Sequence, residues 1–272
     1  MRRRLAVAAG VAAGLLALAA VVRGELPGGC HFARTDDIDF ARVLPAPPAP
    51  GSLAATADLD AVLEVQAWRT PEEAAWARCA AAADLFEFSA VIGPWFNERN
   101  LPATAALLNG VDSDLRAAVD ASKAVYGRPR PFAADPRVNP CVSRPHGGSY
   151  PSGHAIAFFT EAGVLAEVFP EKRTELLEFA QKLAWGRVIG GVHYPTDLAG
   201  GRAVAEAILE RLRASAPFQA ALARSRAEVA AFAPAKAGAY SRPRHSQFGD
   251  LWPGFVGRWI PSPAAAPGPA AG

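Results

Sequence analysis

Proline stands at or beside the head of one apolar stretch after another through the middle of the chain, at Pro71, Pro170, Pro195 and Pro217. In each stretch apolar residues recur every three or four positions, the period of a helix with one buried face. Proline suits the first turn of a helix, where its missing N–H would have no partner, and breaks a helix elsewhere. No segment alternates apolar and polar residues convincingly, as a half-buried strand would. The pattern predicts an all-α fold, a single-domain helical bundle.

Thr70-Pro71-Glu72-Glu73 is a capping box and predicts a helix running toward Ile92. Asn109-Gly110 reads as the end of one helix and Asp112 as the cap of the next, which ends at Gly127 ahead of Pro129 and Pro131. Further helices are predicted over 153–169, 171–189, 195–214 and 217–232, and there is no internal repeat.

The ends differ from this middle. Arg2, Arg3 and Arg4 precede an uncharged run from Leu5 to Val22, the layout of an export signal over residues 1–24, with small-residue cleavage sites at Ala17-Leu18-Ala19 and Val22-Arg23-Gly24. The run is also just long enough to be an uncleaved membrane anchor, and the adjacent arginines leave a twin-arginine route open. Residues 25–52, with "LPAPPAPGS" at 44–52, read as an extended or mobile lead-in, and 236–272, ending in "PSPAAAPGPAAG", as a low-complexity tail. Neither end is expected to carry the core, which leaves a domain over 53–235. "LWPGFVGRWI" at 251–260 is aromatic enough to pack back onto it. No later segment reaches spanning length without a charge, so the expected location is periplasmic or secreted. Cys30, Cys79 and Cys141 are an odd number and allow at most one intramolecular disulfide. A net charge of +2 with Lys and Arg scattered among Asp and Glu argues against a nucleic-acid partner. Self-association stays open.

Three stretches carry chemistry. In "SYPSGHAIAF", 149–158, a helix beginning at Ser152 or Gly153 presents free N–H groups and the positive end of its dipole, an anion site. Gly153 permits close approach to the backbone, Ser152 adds a hydroxyl, and His154 sits beside whatever binds. In "KAVYGRPRP", 123–131, Lys123 and Arg130 would share a face of a continuous helix, and the Gly127–Pro129 break would bend Arg130 inward. In "GRVIGGVHYPTDLAGG", 186–201, Pro195 places Asp197 in a helix N-terminus and His193 in the turn before it. The Asp197 carboxylate can then reach one ring nitrogen of His193, fix its tautomer and leave the other free to attack, with Arg187 near by. Each stretch alone also fits an ordinary role: an N-cap serine, cations on a solvated face, a His–Asp pair that only caps a helix. His146, His31 and His245 read as surface-loop residues.

Read together, Lys123-x6-Arg130-Pro131, Pro151-Ser152-Gly153-His154 and Arg187-x5-His193-x3-Asp197 resemble the signature of the type 2 phosphatidic acid phosphatase (PAP2) superfamily, and within it the bacterial class A acid phosphatases, from about Phe88 to Phe232. The resemblance implies an exported phosphatase acting on monoesters, without metal or other cofactor. It implies His193 as nucleophile, Asp197 as its orienting partner and His154 as general acid and then base. Lys123, Arg130, Arg187, Ser152 and the Gly153 N–H would hold the phosphate oxygens. Two positions depart from the pattern: Gly186 stands where the family commonly has serine, and Gly190 where class A members often have a cysteine, which puts a disulfide to Cys141 in doubt. Rival readings are a lipid phosphate or isoprenyl pyrophosphate phosphatase at the membrane, a vanadium-dependent haloperoxidase, and a phosphate-binding protein without turnover.

Overall fold

The computed structural model describes residues 31–232. The segment expected to direct export, Cys30, His245 and the C-terminal tail, including 251–260, lie outside the described residues. Among those described the fold is all-α. In chain order the helices are α1 (Phe40–Val43), α2 (Leu53–Trp68), α3 (Pro71–Ala81), α4 (Ser89–Ile92), α5 (Pro102–Lys123), α6 (Pro131–Ala134), α7 (Gly153–Val168), α8 (Arg173–Ile189, after a 3₁₀ turn at Pro170–Lys172), α9 (Pro195–Arg213) and α10 (Ala216–Ala231). No helix among them is long and apolar enough to cross a membrane.

α7 is the central helix. It buries residues on every side, among them Ile156, Phe159, Ala162 and Leu165, and packs chiefly against α8 and α9, while α3 covers α8 and α10 covers α5. Small residues set how close these helices come. A Cβ at Gly163 would lie 2.4 Å from the Leu209 side chain, one at Gly201 2.7 Å from the Ala155 Cβ, and one at Gly186 2.8 Å from the Ala80 Cβ. The glycine in place of serine before Arg187 is therefore a close-approach residue between α3 and α8.

The capping box at Thr70 forms, with Glu73 Oε2 accepting from the Thr70 N–H at 2.9 Å, but the helix it opens stops at Ala81 rather than running to Ile92. An irregular turn intervenes, in which the Asp84 carboxylate accepts from the Phe86 N–H. The helix end expected at Asn109-Gly110 is absent. α5 runs unbroken through it, because Gly110 serves packing: a Cβ there would sit 2.3 Å from the His31 ring and 2.4 Å from Phe32.

What lies against Gly110 is the lead-in, and here composition misled. Its Pro/Gly content suggested a segment outside the core, yet Phe32, Ala33, Phe40 and Leu44 are buried in it. The buried Asp114 carboxylate on α5 clamps the segment, accepting from the N–H groups of His31 (2.6 Å), Phe32 (2.8 Å) and Ala33 (2.9 Å), while the Thr35 hydroxyl donates to the Asp114 carbonyl. His31 is accordingly half-buried, its ring edge-on to Phe32, and not a free surface histidine. A carboxylate taking three backbone donors satisfies groups that no helix or strand provides for. Asp114→Ala orphans all three. We expect it to lower unfolding free energy by about 3 kcal/mol, read from urea denaturation.

Candidate active site

The three chemistry-bearing stretches meet at one end of the α7–α8–α9 core, around a cavity of about 720 Å³. α5 ends in Lys123, and the following loop carries Arg130 to the cavity rather than along a continued helix. α7 starts with Ser152 as N-cap, so Gly153 and His154 occupy its first turn. Arg187 lies in the last turn of α8, and Gly191 (φ +74) turns the chain back, in a conformation that favours glycine, to place His193 just before α9. Lys123, Arg130, Gly153, His154, Arg187 and His193 all line the cavity.

Asp197 lies behind it, wholly buried in the first turn of α9, and accepts from His193 Nδ1 at 3.1 Å. The other ring nitrogen of His193 is 3.0 Å from Arg130 Nη1. A guanidinium has only donors, so Nε2 must be the acceptor and Nδ1 carries the hydrogen that goes to Asp197. Chemistry thus fixes the tautomer with the lone pair of Nε2 toward the cavity. Burial drives the His193 pKa down to about 4 against the opposing pull of Asp197, with Arg130 and Arg187 adding to the fall. Burial, then Arg187, drives His154 to about 3, and its Nε2 meets only the Ala81 carbonyl at 3.4 Å. Burial thus favours the neutral form of both rings in the empty site.

Ser152 departs from expectation. It does not line the cavity; its hydroxyl is fully buried and accepts from the Ala155 N–H, capping α7, while its own N–H donates to the Asp197 carbonyl at 3.0 Å. Its effect is to seat the helix start against the His193–Asp197 turn.

Positive charge in the cavity is held but not neutralised. Lys123 Nζ donates to the carbonyls of Gly148 (3.1 Å) and Pro151 (2.9 Å), and Arg130 to those of Gly147 and Val192 (3.1 and 3.0 Å) and of His146, whose side chain is exposed. Burial and then Arg130 lower the Lys123 pKa to about 8. Burial and then Arg130 lower Arg187 to about 10, and its Nε and Nη1 are buried with no hydrogen-bond partner. Buried donors without acceptors are costly, and Arg187 forms part of the wall of a cavity that two more cations and a helix N-terminus share. An oxyanion would satisfy all of them.

A second set of residues was not legible in the sequence. Arg128, two residues before Arg130, donates from Nη1 to Thr196 Oγ1 (2.7 Å) and Asp197 Oδ1 (2.9 Å) and from Nη2 to Asp58 Oδ2 (2.7 Å), with its guanidinium 3.8 Å from the Tyr194 ring centre. Ser149 donates to Asp197 Oδ2 at 2.5 Å, and Thr196 to Asp58. Burial alone would raise the Asp197 pKa, but the His193 and Ser149 hydrogen bonds and Arg128 bring it below the usual carboxylate range. The RPRP run was the available signal for Arg128; Asp58, far away on α2, had none. Cys79 and Cys141 are both free thiols. The Cys141 N–H donates to the Gly190 carbonyl, so position 190 does adjoin Cys141 although it holds no cysteine.

A helical scaffold that turns three cations, a helix N-terminus and a neutral, oriented imidazole onto one cavity defines a protein that handles oxyanions. The PAP2 superfamily profile matches residues 103–216. A non-specific acid phosphatase of Providencia stuartii is 30% identical over 210 residues, covering 74% of this chain and 84% of that protein. One from Salmonella typhimurium is 34% identical over 150 residues, 52% of this chain and 59% of that protein. The chain belongs to the PAP2 superfamily. Among solved structures, a bacterial vanadium-dependent iodoperoxidase shares the fold, with a TM-score of 0.50 at 20% identity over 65% of this chain and 53% of that one.

The Arg128 network yields a stability test. Arg128→Met leaves Asp58 and Asp197 buried without their shared counter-charge, and the loss expected on denaturation is about 3–5 kcal/mol, that of breaking a buried ion pair by removing one partner.

Proposed function

We propose that the protein is an exported phosphatase that hydrolyses phosphate monoesters through a phosphohistidine, without a metal. The observation that carries the mechanism is the His193 Nε2 lone pair directed to a cavity where Arg187 keeps two buried, unpartnered nitrogens. Membership of the PAP2 superfamily and the acid phosphatases among the relatives support the hydrolase reading. Export rests on the residue 1–24 signal.

In this reading the phosphate oxygens lie among Lys123, Arg130, Arg187 and the Gly153 N–H. Arg130 moves its donor from Nε2 to a phosphate oxygen, which frees the nucleophile. Nε2 attacks phosphorus, the bond from phosphorus to the ester oxygen breaks, and His154 gives its proton to the leaving alkoxide. His154 then takes a proton from the water that splits the N–P bond, and phosphate departs. Asp197 keeps Nδ1 protonated and stabilises the charge that grows on the ring. Phosphoryl transfer asks mainly for placement and for offsetting charge on the equatorial oxygens, and fixed cations with a helix N-terminus supply that.

Sign decides the pH dependence. His193 must be neutral to attack and is protonated only below about 4, whereas His154 must be protonated to act as acid and starts from about 3 in the empty site. A bound phosphate dianion raises the His154 pKa. The same dianion raises the His193 pKa from its empty-site value of about 4, so turnover should rise as the pH falls from neutral and turn down above pH 4, once His193 takes a proton.

Phosphate release from an aryl phosphate across this range, in excess EDTA, tests the whole reading. Release is expected to survive EDTA, to be inhibited by vanadate, and to fall by at least ~10²-fold in His193→Ala. Loss of activity in EDTA, or a His193→Ala enzyme that turns over normally, would rule the mechanism out.

A further inference from the structure

The cavity is longer than a phosphate needs, and its far half has the opposite charge. His154, Phe158 and Glu161 follow one another at helical spacing along the cavity-facing side of α7, so Glu161 stands about 10 Å beyond His154, at 1.5 Å per residue. Glu161 is 5% exposed, has no hydrogen bond or ion pair, and lines the cavity. Its carboxyl oxygens are not sealed off as the Arg187 nitrogens are, so they open onto the cavity with no protein partner and are available to a ligand group. Asp84 and Asp112 line the same half, and both act on Glu161. Arg116 is the cation among them, and its guanidinium, on a side chain 80% exposed, is taken up by Asp112 at 2.9 Å. Burial and then the field of Asp112 and Asp84 push the Glu161 pKa up to about 8, so the carboxyl holds a proton at and below neutrality until a cation arrives to displace it.

We propose that this half of the cavity is a leaving-group subsite for a protonated amine, and that the preferred substrates are phosphate monoesters whose alcohol carries an amine about 10 Å from phosphorus. This rests on the phosphatase reading above. The ammonium would donate to Glu161, shed its own solvation into the field of Asp84 and Asp112, and lie at the reach of a six-carbon spacer. The stem between the two ends would run over Leu115, Val119 and Phe158, which are apolar. Glu161 would be a specificity residue, remote from the reacting atoms.

Matched esters separate this from the alternatives. The purified protein is assayed near pH 6 with 6-aminohexyl, 6-hydroxyhexyl and heptyl phosphate, and with phenyl phosphate as reference. The aminohexyl ester is expected to exceed the heptyl ester in kcat/KM by about tenfold, the equivalent of one well-placed charged hydrogen bond. In Glu161→Gln that ratio should shrink by about fivefold, and in Asp112→Asn, at a partly exposed position, by about twofold. A wild-type ratio near one, a hydroxyhexyl ester as good as the aminohexyl, or a ratio unmoved in both variants would overturn the amine subsite. If phenyl and heptyl phosphate are hydrolysed in that case, the phosphatase reading stands without it. If the wild type hydrolyses none of the four, the phosphatase reading fails and the subsite falls with it.

Discussion

The Asp197 carboxylate is wholly buried and takes four hydrogen bonds, from Arg128 Nη1, Ser149 Oγ, His193 Nδ1 and the Tyr194 N–H. Each comes from a different local situation: the loop after α5, the segment before α7, the turn before α9, and the cap of α9 itself. Arg128 carries the connection on to Asp58 of α2. A buried carboxylate tolerates few vacancies in its shell, so the three chain segments that supply these donors are held to one arrangement or the group loses much of its solvation at once. The orientation of His193 follows from this. With Oδ2 already accepting from Ser149 and from Tyr194 N–H, the position left for the imidazole N–H is narrow, and Arg130 on the other nitrogen closes the choice of tautomer.

The same point brings the helix N-terminus to the histidine. The Ser152 N–H donates to the Asp197 carbonyl, and this is possible because Gly200 and Gly201 leave room on α9: a Cβ at Gly200 would stand 2.5 Å from the Tyr150 ring, and one at Gly201 2.8 Å from the Ser152 carbonyl. The "LAGG" run after Asp197 is therefore part of the site's geometry although none of its residues touches the cavity. Any larger residue would separate α7 from α9 and, with them, His154 from His193.

These relations explain which parts of the molecule could be read from sequence. The boundaries of α7, α8, α9 and α10 were legible to within a residue or two because proline and N-cap chemistry act locally. The six cavity-lining residues and Asp197 were legible because the three stretches together resemble a family pattern; spacing alone put Lys123 and Arg130 on one face of a continuous helix, and that helix ends at Lys123. Arg128, Asp58, Ser149 and Asp114 act across long stretches of chain, and nothing periodic announces such partners. Gly110 shows the ambiguity most plainly. A glycine marks a helix end when the backbone must turn and a helix interior when another segment must come close, and the sequence around it is the same in both cases. The lead-in failed for a related reason: composition measures how many apolar residues a segment has, whereas Asp114 decides where its few are held.

Burial acts with opposite sign on the two ends of the cavity. It lowers both histidines and the lysine because their charged forms lose water, and it raises Glu161 for the same reason. The empty site thus favours neutral imidazoles at one end and a neutral carboxyl at the other, and the positive charge resides on Arg130, Arg187 and Lys123, whose pKa of about 8 leaves it charged at neutrality. An anion entering among those arginines makes protonation of His154 favourable, and a cation entering beside the aspartates makes ionisation of Glu161 favourable. One substrate carrying both charges would therefore move a proton onto the acid end of the reaction and off the far wall with little change in the total. Under the amine-subsite proposal, selection falls on the separation of the two charges more than on their number, because His154 and Glu161 stand at opposite ends of one face of α7.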